Sequence, residues 1–226
     1  MAVIAEGVSM VYKRSGKTGR SFTALENTSI AIESGRITVI SGRSGSGKTT
    51  LLNILAGLLR PSSGTVLYDG TDIYALDDER LSAFRNIHIG YVPQGQSALA
   101  NLTVLENLML PLSLAGGGDG GTKARHLLEE VGISALADAY PDELSGGELR
   151  RLAAARALVN TPEVLFADEP TNDLDDENTA LVLGLLKKAA EDGAAVVLVT
   201  HEALPENYAD TIYRTESGKI AKTEGQ

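Results

Sequence analysis

The stretch Gly42-Arg43-Ser44-Gly45-Ser46-Gly47-Lys48-Thr49 decides the fold, because a Gly-x-x-x-x-Gly-Lys-Thr loop between a strand and a helix cradles phosphate groups. The β-branched run 37–40 predicts the strand, and residues 50–55 carry apolar side chains at helical spacing. Glycines let backbone N–H groups close around phosphate oxygens, and the helix points its positive end at them. We expect the loop and Thr50 to bind a nucleotide, with Lys48 on the β- and γ-phosphates and Thr49 on Mg²⁺. The alternative is a glycine-rich turn without a ligand.

Composition narrows the classes of protein that the chain can belong to. It has 226 residues, a net charge of -10 and no cysteine. The acidity argues against a nucleic-acid surface or a polybasic membrane patch, and the absence of cysteine excludes disulfides and thiolate metal sites. Residues 1–6 have no basic region ahead of an apolar one, and no apolar run approaches the ~18 residues of a membrane span. We therefore expect a cytoplasmic protein whose membrane role, if any, comes through a partner.

Two further strands end in polar residues that are candidates for chemistry. The apolar strand 164–169 ends in Asp168 and Glu169, and the strand 194–199 delivers His201. Beside a phosphate loop, Asp168 would complete the Mg²⁺ shell and Glu169 would polarise a water for attack on the γ-phosphate. His201 is a candidate contact of the γ-phosphate. The alternatives are acids that merely end a strand and a structural histidine.

Three other positions carry weaker signals. Gln94 lies on a loop after a predicted strand 87–92, where an α/β protein keeps ligand groups, although a lone glutamine there is more simply a solvated side chain. Tyr12 closes a strand and either stacks on an adenine base or is a half-exposed strand tyrosine. Leu144-Ser145-Gly146-Gly147-Glu148 precedes a helix. Its Ser145 and Glu148 are spaced as a capping box, and the bare helix N-terminus is an alternative anion contact.

The order of predicted elements indicates an α/β core interrupted by helices. Two antiparallel strands within 2–32 flank a loop at 13–23, a strand at 65–70 follows, and a hairpin at 211–223 turns at Ser217-Gly218. Helical spacing covers 103–112, 122–131 and 177–191, and the glycine run 116–121 is the clearest flexible segment. We expect residues 1–92 and 161–226 to form the core and 93–160 a mostly helical subdomain of one domain, 1–226.

Taken together and in this order, the motifs resemble the nucleotide-binding subunit of an ATP-binding cassette (ABC) transporter. The loop at 42–49 is similar to the Walker A motif, Gln94 to the Q-loop, and 144–148 to the family signature. The strand 164–169 is similar to Walker B, Leu174-Asp175 to the D-loop, and His201 to the switch histidine. The resemblance implies a P-loop NTPase of ABC type, with a mixed central sheet, an antiparallel β part and a helical subdomain. It also implies that ATP and Mg²⁺ bind.

The resemblance further implies a mechanism. Two copies would pack head to tail around two ATP molecules, each held by Lys48 and Thr49 of one copy and by the Ser145, Gly146, Gly147 segment of the other. Glu169 would be the general base, Gln94 would sense Mg²⁺ and the attacking water, and His201 would hold the γ-phosphate. A membrane permease docked near Gln94 would feel the sandwich open, so the chain would lie at the inner face of the membrane.

Within the family, the stretches 24–27, 89–94, 102–107 and 110–112 look most like the ATPases of lipoprotein-release, macrolide-export and antimicrobial-peptide-resistance systems. A related cell-division ATPase that regulates a peptidoglycan hydrolase is the first alternative, and a soluble ABC ATPase without a permease is the second. Glu148 stands where the signature usually has glutamine, a change that the capping box tolerates. Pro93 stands where an aromatic residue is common, which bears on the identity of the permease.

Overall fold

The first two strands of the chain belong to a four-stranded antiparallel sheet. The computed structural model describes residues 1–13, 21–95, 97–116, 120–202, 204 and 208–223. The sheet contains β1 (Val3–Lys13), β2 (Ser21–Ile32), β4 (Ser63–Tyr68) and β5 (Thr71–Asp72), in the order β2-β1-β4-β5. Buried and exposed residues alternate along β1, as expected for a strand with one face on the core.

A second sheet of six strands holds the ends of the strands that carry the polar motifs. Its members are β3 (Ile37–Gly42), β6 (Ile89–Val92), β7 (Val164–Asp168), β8 (Ala195–Thr200), β9 (Thr211–Glu216) and β10 (Lys219–Lys222). The order is β10-β9-β3-β8-β7-β6, and all neighbours are parallel except the edge pair β9 and β10. Every residue of β7 and β8 is buried, because helices or the other sheet cover both faces.

The described ranges contain six α-helices. They are α1 (Lys48–Leu55), α2 (Asp78–His88), α3 (Val104–Leu114), α4 (Gly120–Glu130), α5 (Gly146–Leu158) and α6 (Asp176–Glu191). One face of the sheet shares a core with α1 and the antiparallel sheet, in which Leu51 and Phe166 are fully buried. The other face packs against α5 and α6 through residues such as Ala153 and Leu186. This layering fixes α1, and hence the loop before it, at one edge of the sheet.

The helices α3, α4 and α5 share a third core cluster of their own. Leu108, Leu128 and Leu152 are buried there. Beside it, the fully buried Asn107 side chain donates to the carbonyls of Leu99 and Leu102 and accepts from the N–H of Leu99. One side chain thereby holds the segment that leads from β6 into α3.

The structure confirms the predicted fold class and most elements, with shifted boundaries. The predicted strand 87–92 starts only at Ile89, because the preceding residues end α2, a helix that the sequence reading missed. The helix predicted at 122–131 starts two residues earlier and includes two glycines of the run 116–121. Residues 117–119 of that run, and 14–20 of the predicted loop 13–23, lie outside the described residues.

Candidate functional site

Parallel pairing brings residues far apart in sequence to one edge of the second sheet. β8 lies between β3 and β7, with Ser41 opposite Thr200 and Asp168 opposite Val199. The carboxyl ends of these strands therefore meet, and ligands of α/β proteins bind at such an edge. The Gly42 loop, Asp168 and Glu169, and His201 all follow these ends, as the sequence predicted.

The phosphate loop is shaped by glycines with positive φ. Gly42, Gly45 and Gly47 have φ of 156°, 77° and 100°. A Cβ on Gly47 would overlap the carbonyl oxygen of Ala24, and one on Gly42 would overlap Thr215, whereas Gly45 faces open space. Two of the three glycines are thus required by close approach of the neighbouring strands as well as by backbone angle.

Contacts from the last hairpin hold this loop in place. The hydroxyls of Ser46 and Thr215 share a hydrogen bond of 2.6 Å, and Gly218 N–H donates to the Ser46 carbonyl at 3.2 Å. Gly218 O in turn accepts from Glu26 N–H at 2.8 Å. The loop is therefore clamped between the antiparallel sheet and the turn at 217–218, for which the sequence had shown no chemistry.

Lys48 and Glu169 form a buried pair at the floor of the site. Lys48 Nζ donates to the carbonyls of Gly42 at 2.8 Å and Arg43 at 3.1 Å, and lies 3.7 Å from Glu169 Oε1. Only 6% of the lysine side chain and 7% of the glutamate side chain are exposed. The attraction between a cation and a carboxylate is stronger out of water, and the floor of the site therefore offers a hydrogen-bond donor and an acceptor side by side.

His201 contacts the same glutamate from the solvent side. Its Nδ1 lies 2.9 Å from Glu169 Oε2, and its backbone N–H donates to that oxygen at 3.3 Å. Glu169 has a left-handed backbone with φ of 49°, and its N–H donates to the carbonyl of Val199. This conformation, uncommon outside glycine, turns the glutamate away from the line of β7 and toward Lys48.

Asp168 is an acid with an unmatched oxygen. The residue is buried, Thr49 hydrogen-bonds its carboxylate, and Oδ1 finds no partner within the described ranges. Burial raises the pKa of the carboxyl, the Thr49 bond lowers it, and the neighbouring Glu169 charge raises it. Hydroxyl and carboxylate oxygens are the donors that Mg²⁺ prefers, so Thr49 and Asp168 fit that ion.

A cleft of about 860 Å³ lies beside the phosphate loop. The predicted loop residues Arg43, Ser44, Gly45 and Ser46 line it together with His201. The wall is completed by Gly42 and by five residues that the sequence did not indicate, namely Ser41, Arg214, Thr215, Glu216 and Ser217. No motif marks them, and the pairing of β9 with β3 is what places them there.

Some predicted site residues lie outside this cluster. Tyr12 is paired with Phe22 across β1 and β2, and 40% of it is exposed. Gln94 is exposed two residues beyond β6, which neighbours β7, so it lies at the same sheet edge. Within the described segments, neither side chain hydrogen-bonds to residues 42–50.

The signature residues form a second glycine-rich surface at the start of α5. Ser145 is the N-cap, and Glu148 Oε2 accepts from both its N–H and its hydroxyl at 2.7 Å, as the predicted capping box requires. These bonds lower the pKa of Glu148. Gly147 packs against Asn178, where a Cβ would lie 2.7 Å from Nδ2.

Asn178 also connects the signature to Asp175. The Asp175 carboxylate caps α6 by accepting from Asn178 N–H at 2.8 Å, and the Asn178 side chain donates to both of its oxygens. These bonds hold the pKa of Asp175 below its usual range. The predicted signature and D-loop residues therefore form one surface.

Comparison with known proteins places this geometry in a family. A family model described as ABC transporter matches residues 25–172. The methionine import ATP-binding protein MetN 1 of Rhodococcus jostii is 41% identical over 96% of this chain, which spans 65% of that relative's length. The lipoprotein-releasing system ATP-binding protein LolD of Syntrophotalea carbinolica is 42% identical over 89% of this chain and 90% of the relative.

A solved structure agrees over almost the whole chain. The dimeric post-hydrolysis state of the ATP-binding cassette MJ0796 bound to ADP and Pi superposes with a TM-score of 0.90 at 35% identity, over 99% of this chain and 100% of that one. The fold, the phosphate loop and these relatives all indicate the same family. The chain belongs to the ABC transporter family, as an ATP-binding cassette.

Proposed function

We propose that the chain dimerises around two ATP molecules and drives the membrane permease of an export or mechanotransmission system. The observation that carries the proposal is the set of contacts that joins Lys48 to Glu169 and Glu169 to His201, which lines the cleft beside the phosphate loop. Export is supported by the lipoprotein-releasing relative and by the stretches at 89–94 and 102–112. The methionine-import relative shows that close sequences also serve import systems.

In the proposed reaction the chain's own groups bind ATP and move one proton. Lys48 exchanges its carbonyl partners for the β- and γ-phosphates, and the N–H groups of residues 42–50 surround them. Glu169 takes the proton of the attacking water, while His201 contacts the γ-phosphate and orients the glutamate. Thr49 and Asp168, with Gln94 nearby at the same sheet edge, would hold Mg²⁺, which when bound supplies positive charge to the phosphates.

The second copy is proposed to supply the signature surface. Gly146 and Gly147 leave the first turn of α5 bare, and Ser145 is exposed beside them. Among the described residues, no hydrogen bond joins this surface to the phosphate loop of the same copy. A head-to-tail dimer is the arrangement in which the signature of one copy and the phosphate loop of the other would bind one ATP. The solved relative described as dimeric and bound to ADP and Pi supports this arrangement.

An apolar cleft lined by Tyr91, three residues before Gln94, is the proposed docking site of the permease. It measures about 260 Å³ and is lined by Leu58, Arg85, Asn86 and Tyr91, among others, with 53% of Leu58 exposed. Asn86 donates to the carbonyl of Pro111 in α3, a helix that also exposes Leu114. Contiguous exposed apolar side chains mark interaction sites.

The proposed division and location follow from these surfaces. We propose that residues 93–160, which include the third core cluster, are the helical subdomain, and that the rest is the core. No helix in the described part of the chain is long and apolar enough to cross a membrane. The chain would then sit on the inner face of the membrane through its permease.

Replacing the proposed base tests the chemistry. Glu169→Gln keeps the shape of the side chain but loses the proton acceptor, so hydrolysis should fall at least ~100-fold while ATP binding persists. ATP should also drive this variant from monomer to dimer, as measured by sedimentation velocity. Glu191→Gln, on the exposed end of α6, is the matched control and should hydrolyse ATP normally. Full hydrolysis by Glu169→Gln would refute the role of Glu169.

Co-purification tests the partner. The Glu169→Gln variant with ATP would be pulled from detergent-solubilised native membranes, and Leu58→Asp in the same background should lose the partner while still dimerising. A permease with a large external domain supports the export proposal. Recovery of soluble proteins or nucleic acid instead of a permease would contradict it.

A further inference from the structure

The guanidinium of Arg150, in α5, hydrogen-bonds the loop that carries Gln94. Arg150 Nη1 donates to the carbonyl of Pro93 at 3.3 Å and to that of Gly95 at 3.0 Å. One nitrogen therefore binds the residues on both sides of Gln94. Gln94 itself is exposed, so the two hydrogen bonds from Arg150 hold its backbone and leave its side-chain amide accessible to a ligand.

The backbone conformation of Gly95 allows the loop to accept both hydrogen bonds from Arg150. Gly95 has φ of 81°, a left-handed conformation that lets the chain turn back after Gln94, and a Cβ on Gly95 would meet open space. The glycine is therefore needed for its backbone angle and not for close packing. With it, the carbonyls on either side of Gln94 both face Arg150.

Arg150 lies on the same helix as the signature residues. Arg150 lies four residues after Gly146, so both are on the same side of α5 and one turn apart. α5 is anchored by buried residues on two faces, Leu152 in the third core cluster and Ala153 in the core with α6. A shift of the first turn of such a helix carries Arg150 with it, and the Gln94 loop follows.

We propose that Arg150 is a positioning residue that couples the signature surface to Gln94. Resting on the proposed function, the inference is that contact between one copy's signature and its partner's ATP sets the position of Gln94 over the first copy's own ATP. The same link works in reverse, because coupling between two sites is reciprocal. A permease that moves the Gln94 loop thus changes how the signature meets the partner's ATP.

The test separates this role from simple support of the fold. Arg150→Met keeps the length of the side chain and removes the donors, so kcat for ATP should fall about 2- to 30-fold with KM for ATP unchanged. The phosphates are held by residues 42–50, which explains the constant KM. Arg150→Lys keeps the charge and a donor, and it should recover most of the lost kcat. Thermal unfolding establishes that each variant is folded.

A double-mutant cycle with Gln94→Ala is the decisive measurement. If Arg150 acts through Gln94, Arg150→Met should reduce kcat little further once the glutamine is gone. Arg151→Ala is the matched control, because Arg151 also donates from Nη1 to two carbonyls, of Val131 and Gly132, in a loop with no site residue. Its effect should multiply with that of Gln94→Ala.

The outcomes distinguish this inference from the proposed function. An unchanged kcat in Arg150→Met, or effects of Arg150→Met and Gln94→Ala that multiply, overturns the coupling role. A Gln94→Ala variant with normal kcat overturns it as well, because Arg150 would then have nothing to act through. Failure of Glu169→Gln to dimerise with ATP would instead overturn the proposed dimer.

Discussion

Replacing Gly47 by alanine should cost more folding free energy than replacing Gly45, although both lie in the phosphate loop at positive φ. An L-residue in a left-handed conformation costs about 1–2 kcal/mol, a term common to both variants. Only at Gly47 would the new Cβ overlap a backbone atom, the carbonyl oxygen of Ala24 in β2. Such overpacking adds about 1–3 kcal/mol.

The expected free-energy losses are therefore about 2–5 kcal/mol for Gly47→Ala and about 1–2 kcal/mol for Gly45→Ala. Urea unfolding followed by circular dichroism measures both, with equal m-values as the check that the transition is unchanged. Gly47→Ala should also weaken ATP binding, because the displaced backbone N–H groups no longer fit the phosphates. Equal losses in the two variants would refute the argument that β2 confines the loop.

Other predictions concern buried and capping groups. Asp168→Asn should raise the thermal midpoint near ~pH 7.5 in the absence of Mg²⁺. Burial raises the pKa of Asp168, so the stability of the unsubstituted protein falls as the pH rises past the ordinary value of 3.8. An increase in thermal midpoint that is the same at ~pH 3.5 as at ~pH 7.5 would contradict this reasoning. Glu148→Gln should have the opposite effect and lower the thermal midpoint at neutral pH. The pKa of Glu148 is lowered in the fold, so its charged form stabilises the protein above pH 4.5, and this stabilisation is lost in acid. A loss of thermal midpoint that does not depend on pH would exclude this cause. Asn107→Ala should lower the free energy of unfolding in urea by about 1–3 kcal/mol, because it removes a fully buried side chain that hydrogen-bonds the backbone of Leu99 and Leu102. The exposed Asn101→Ala should change it little, and equal effects would refute the role of Asn107.

Strong local patterns account for what the sequence could predict. The loop at 42–49 and the apolar strands before Asp168 and His201 each have a distinctive composition, and parallel pairing then brings their ends together. The capping box at Ser145 and Glu148 was also predictable, because its spacing is short and specific. These features depend on neighbours in sequence, which is why they survive in the fold.

The missed features depend on tertiary context. α2 has a single buried residue, Leu81, so it lacks the apolar stripe that marks a helix, although Asp77 is an N-cap that could have indicated it. The cleft wall at 214–217 is placed by pairing of β9 with β3, which no local pattern reveals. The roles of Tyr12 and Gln94 stay predictions, and in the described part of the chain neither side chain hydrogen-bonds to residues 42–50.

The left-handed backbone of Glu169 bears on how this protein would respond to directed evolution. A glutamate there carries a conformational cost of about 1–3 kcal/mol that glycine would avoid, but glycine would also leave the buried Lys48 without its carboxylate, which costs about 3–5 kcal/mol. A library selected for heat resistance alone would therefore keep the glutamate at this position. Selection for stability and selection for the proposed base then favour the same residue, so turnover need not be screened in the first round.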